Sequence, residues 1–180
     1  MQPVGEVNSQ SAGHQDTQSK GLVQKANHQP LQMLQSGQLL SIANLPGTGL
    51  ILRKAFHCEF VGPGAAVGGM FDTGCTSVYA VGKVQFLVPA TTSDRKRAFQ
   101  ARITYLERLQ EITVGEAPLR RAFSALEYLG DVLGVDVVQQ IPDELMAGLV
   151  GVFIETMAIA RQQVAAVTVV PEQQILNLRS

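Results

Sequence analysis

The side chains best suited to chemistry are few. His57 and Cys58 stand side by side, with Cys75 further along, and these types can hold a metal or form a redox couple. Successive residues of an extended chain face opposite sides, so His57 and Cys58 cannot both aim at one ion. They read as ordinary core or surface residues. The stretch "GPGAAVGG" at 62–69 is glycine-rich enough to suggest a phosphate-cradling loop. Its third glycine falls one place late for G-x-G-x-x-G and no helix clearly follows, so it reads as a turn between strands. Neither paired carboxylates nor a Ser/His/Asp set has a spacing that argues catalysis. No catalytic residue, metal ligand or cofactor is therefore assigned, and the chain is expected not to be an enzyme. The basic runs "DRKR" at 94–97 and "LRR" at 119–121 read as solvated helix faces. They are also the only clustered positive charge offered to a phosphate backbone.

Composition narrows the field. With 180 residues the chain is long enough for one ordinary domain or two small ones. Its formal net charge of -1 supplies no general attraction to nucleic acid. Two cysteines are too few for a disulfide scaffold and fit a reducing compartment. No apolar run approaches the roughly 20 residues a membrane-spanning helix needs, and no apolar signal core follows basic residues near Met1. The expectation is a cytoplasmic, soluble protein with no membrane partner.

Four segments follow from texture. Residues 1–29, rich in Gln, Ser, Asn and Gly without apolar periodicity, cannot offset their ordering entropy and are expected to be a disordered tail. Residues 30–92 hold short apolar runs ("QLLSIANL", "GLILRKAFHCEFV", "SVYAVGKVQFLV") between Gly and Pro turns, predicting a small antiparallel β unit. Residues 93–114 form a helix capped by Ser93 or Asp94, with Phe99, Ile103, Leu106, Leu109 and Ile112 as an apolar stripe. That stripe suits packing on the β unit or pairing with a second copy, and its length beside so small a β unit favours the pair. Residues 115–180 begin with a helix entered at Pro118, with Leu119, Ala122, Phe123, Leu126 and Leu133 on its buried face. Gly134 is its stop. "VDVVQQIP" then reads as an extended or turn segment.

The stretch "DELMAGLVGVFIETMAIARQQ" at 143–163 is the most specific pattern. Met146 and Val150 lie one turn apart, Ala147 is small where a second helix must cross, and Gly151 can take a left-handed turn. Val152, Met157 and Ala160 supply the inner face of that second helix. Together these offsets predict a helix-turn-helix. The stretch resembles that unit in the cyclic-AMP receptor/Fnr family of bacterial transcription regulators, through Glu144, Leu149, Val150, Gly151, Glu155 and Thr156. In the same order, "LQSGQLL", "GPGAAVGGMF" and "SVYAVGKVQFLVP" resemble parts of that family's sensor roll, and "TVVPEQQILNLRS" a remnant of its wing. The resemblance implies an α+β fold: a reduced β-roll, a long dimerisation helix and a C-terminal winged helix-turn-helix. It also implies a homodimer that binds double-stranded DNA, with Phe99, Ile103, Leu106 and Leu109 at the two-fold contact.

Departures from the family pattern refine that expectation. The sensor region is short by a strand pair. Family nucleotide sites place a Glu near the glycine turn and an Arg just after it, whereas "AAVGGMFDTGCTS" offers Val67 and Gly68 and no arginine. An uncompensated buried phosphate is unfavourable, so cyclic nucleotides are expected not to bind. On the recognition helix the outward positions are Phe153, Ile154, Glu155, Ala158 and Ile159, and arginines are usual in the family where Ile154 and Ile159 stand. Glu155 can read a base edge, while Thr156, Arg161 and Arg179 are the candidates for phosphate contact. Across 142–180, Asp143, Glu144, Glu155 and Glu172 outnumber those two arginines. A duplex-binding surface is normally basic. The rival expectation is therefore the same fold with its apolar recognition helix docking a protein partner.

Overall fold

The computed structural model describes residues 28–114 and 117–168. These fold as a mixed α+β chain whose β part is two small three-stranded antiparallel sheets. In one sheet β1 (Leu39–Ile42) lies between β4 (Ala66–Gly68) and β6 (Phe86–Leu87), pairing Leu40 with Val67 and Ser41 with Leu87. In the other, β2 (Gly49–Arg53) lies between β3 (Cys58–Val61) and β5 (Ser77–Val81), with Ile51 opposite both Phe60 and Tyr79.

The run "LIL" in β2 is apolar without alternation because both faces of that strand are covered. Leu50 and Leu52 enter one core with Leu40, Ile42, Val61 and Val67. Ile51 points the other way and joins Phe60 and Val81 against the helices. All three β2 residues are fully buried, each contributing roughly 1.5–3 kcal/mol. Into the first core also drops Leu34 of a short helix, α1 (His28–Gln35). Residues 30–35 were expected to open the β unit; Leu31 and Leu34, one helical turn apart, instead pin a helix onto it.

The long helix α2 (Thr92–Thr113) starts one residue earlier than expected, and its cap is Thr91 rather than Ser93 or Asp94. Thr91 Oγ1 accepts the Asp94 amide at 3.0 Å while the Asp94 carboxylate accepts the Thr91 amide at 3.1 Å, a reciprocal capping box. The buried face of α2 is Ala98, Arg102, Leu109 and Ile112. Tyr105 packs edge-on to Phe60, with ring centroids 5.4 Å apart. At Gly62 an added Cβ would lie 2.4 Å from the Tyr105 ring, so any larger residue would force that ring to shift.

Beyond 115–116 the chain is helical. α3 (Pro118–Leu133) buries Ala122, Ala125, Leu126, Leu129 and Leu133, and Gly134 ends it at φ 95°. Val135–Val138, expected to be extended or a turn, forms a single helical turn, α4, whose Val138 is buried. The β-branched valines favour a strand only weakly, and burial overrides that preference. α5 (Asp143–Val150) and α6 (Ile154–Thr168) complete the described chain.

One core runs through β2, β3, β5 and α2 to α3, α5 and α6. The helical part is thus seated directly on the second sheet. Gly148 of α5 abuts Cys58 of β3, where an added Cβ would come within 2.8 Å of the sulfur. Arg53 pairs with Glu144 at 2.6 Å, and the Tyr79 hydroxyl donates to the Gln140 carbonyl at 3.3 Å. The segment read as a wing begins at Thr168, the last residue of α6, and the rest of it lies outside the described residues.

Candidate nucleic-acid interface

α5, Gly151 and α6 form the turn the sequence signature requires. Gly151 is left-handed at φ 61° and ψ 47°, and the Val152 amide donates to the Ala147 carbonyl at 3.1 Å across the turn. Met146, Ala147, Val150, Met157 and Ala160 are all buried between the two helices and α3, with Val152 partly so. Each of these inner positions is where the spacing placed it.

The outer face of α6 is apolar at its start. Phe153 is 79% exposed, Ile154 and Ile159 are about half exposed, and Glu155 is exposed, while Thr156 and Ala158 are partly covered. These residues therefore share one accessible end of the helix. Arg161 does not join them. Its guanidinium turns inward, donating to the Val138 carbonyl at 3.0 Å and the Ile141 carbonyl at 2.6 Å, and it pairs with Asp143. It closes the α4–α5 connection and is not free to contact a phosphate. Arg179 lies outside the described residues. Among those described, no other Lys or Arg lies between Asp143 and Thr168.

The expected dimer stripe divides between two sides of α2. Phe99 and Ile103 are 39% and 44% exposed and Leu106 is partly so. Leu109 and Ile112 are buried in the chain's own core. Leu109 is thus corrected from a partner-facing to an internal position. Phe99 also meets Phe71 of the glycine turn, ring centroids 5.8 Å apart.

That turn holds a site that sequence spacing did not reveal. It has no arginine of its own, but Arg102 reaches it from α2. Arg102 contacts both Asp72 oxygens at 2.8 and 3.0 Å, pairs with Glu59 and donates to the Ala66 carbonyl. Lys54 adds contacts at 3.1 Å to Asp72 and 3.2 Å to Glu59. Asp72 is fully buried and accepts the Gly68 amide at 2.8 Å. Burial pushes the Glu59 carboxyl up, but Arg102, His57 and Lys54 outweigh it and hold it below the ordinary carboxylate value. The cations and the turn amide that would receive an anion are thus already taken by the chain's own carboxylates. His57 faces solvent beside Glu59, while Cys58 and Cys75 are buried apart from it, and burial raises both thiols.

No known family model matches this chain, and no curated protein or solved structure gives a significant match.

Proposed function

We propose that this chain is a DNA-binding transcription regulator of the cyclic-AMP receptor/Fnr type that works without a cyclic nucleotide. The packed α5–Gly151–α6 unit carries this reading: Gly151 turns left-handed between two helices whose facing residues are buried, as a helix-turn-helix would require, and Phe153 and Ile154 at the start of α6 are exposed. Two such units, joined through Phe99, Ile103 and Leu106 of α2, would address a two-fold duplex site. With Phe153, Ile154 and Ile159 outermost, base readout is poor, since it needs donors and acceptors at base edges. The amides at the start of α6 and the Thr156 hydroxyl are left to hold phosphate. Arg179 is the remaining cation that the sequence offers.

A second reading is favoured by the inward turn of Arg161 together with the exposure of Phe153. On it, the same face docks a protein, because a contiguous apolar surface without cations suits a protein groove better than phosphate. The double change Ile154→Arg with Ile159→Arg separates the two. Under the DNA reading it tightens duplex binding in a gel-shift titration. Loss of a protein partner, with wild type and variant both ignoring duplex at low salt, would replace the DNA reading by the docking one.

A further inference from the structure

The run "LRR" at 119–121 puts two arginines at the start of α3. Arg121 is partly covered there, and its Nε is buried without a hydrogen-bond partner. Its Nη1 ends at the α5–α6 turn, 3.9 Å from where a Cβ on Gly151 would stand. Gly151 is exposed and Arg121 partly so, which leaves the guanidinium open to a ligand arriving from solvent.

Among the described residues no carboxylate answers this cation. Arg102 and Arg161 are covered as well, and each holds a carboxylate. Arg121 holds none, and Glu155 in the first turn of α6 does not pair with it. A partly covered cation without a counter-charge has given up water and gained no partner. An anion from outside restores that balance. The planar fork of a guanidinium suits the paired oxygens of a phosphate. The place of Arg121, at the turn that leads into the exposed start of α6, points to a duplex backbone as the source.

We infer that Arg121 seats a phosphate group at the α5–α6 turn, supplied by the backbone of a bound duplex. For its source this rests on the DNA-binding reading, and it gives that face the cation that Arg161 does not supply. Such a seat carries no base information, because phosphate is the same at every sequence.

Gel-shift titrations of wild type, Arg121→Gln and Arg121→Lys on two duplexes of unrelated sequence test it. Arg121→Gln should weaken both complexes several-fold and to the same extent, and lower the salt slope by about one. Arg121→Lys should keep most of that slope, since a point charge still meets a phosphate. Unchanged affinity and slope in Arg121→Gln overturns the inference and leaves the DNA reading in place. So does a loss confined to one sequence, or a Lys variant that falls as far as Gln. A separate titration of inorganic phosphate into wild type, at constant ionic strength, follows the Arg121 Nε–H resonance. Movement there, with duplex ignored at low salt, keeps the seat, assigns it to free phosphate and removes the DNA reading. No movement and no duplex binding overturns both.

Discussion

Gly148 fixes how closely the helices approach the sheet. Its missing Cβ leaves room for Cys58, so Gly148→Ala should destabilise by ~1–3 kcal/mol through overpacking. Urea unfolding reads the loss, and adding Cys58→Ala in the same chain should recover most of it, because touching residues couple. If the two changes simply add, that contact is not what limits the approach. Asp72→Asn is a different case. It removes charge from a fully buried partner of Arg102 and Lys54 and should cost ~3–5 kcal/mol, since a buried cation is left undercompensated. A variant as stable as wild type would show that the cluster adds nothing. Single residues also show where the sequence was readable. Met146, Ala147, Val150, Gly151, Met157 and Ala160 were legible because helix crossing demands those sizes at those offsets. Arg102 was not, because Asp72 is 30 residues away and Glu59 is 43. Arg161 misled for a related reason: its main partners are the carbonyls of Val138 and Ile141, which no side-chain pattern encodes.

Among the elements, α2 both holds the sheets and offers a free face. Its apolar residues recur at threes and fours, but a helix turns about 100° per residue, so Phe99 and Leu109 end up on different sides. The sequence therefore gave the helix correctly and merged two faces into one stripe. The outer residue Ile103, 44% exposed, is the one to change. If the proposed dimer forms through α2, Ile103→Glu should leave the fold intact and turn that dimer into a monomer in sedimentation, because a charge would be buried against its symmetry mate. Persistence of the dimer would remove α2 as the contact. The inner face answers to pH. Glu59 is held below the ordinary carboxylate value in the folded chain, so its contribution is complete above the unfolded pKa of about 4.3 and is lost as pH falls through the folded value. Melting between neutral pH and pH 3 should show a steeper acid loss in wild type than in Glu59→Gln. Equal slopes would contradict the role given to Glu59.

At the scale of the molecule, the α5–Gly151–α6 unit does not hang from the β unit on a linker. It shares a core with the second sheet, secured by Gly148 against Cys58, Arg53 with Glu144 and Tyr79 with Gln140. The order of β unit, long helix and helical module was legible from punctuation and periodicity. The shared core was not, because Ile51 and Phe60 read as strand residues whichever layer they face. Seating α5 on the sheet while leaving the start of α6 exposed is what makes the proposed duplex contact geometrically open. One gel-shift titration of wild type on a single random-sequence duplex, run at low and then raised salt, tests that claim most directly. Binding at low salt that weakens steeply as salt rises is the predicted result. No shift at low salt would contradict DNA binding by this chain.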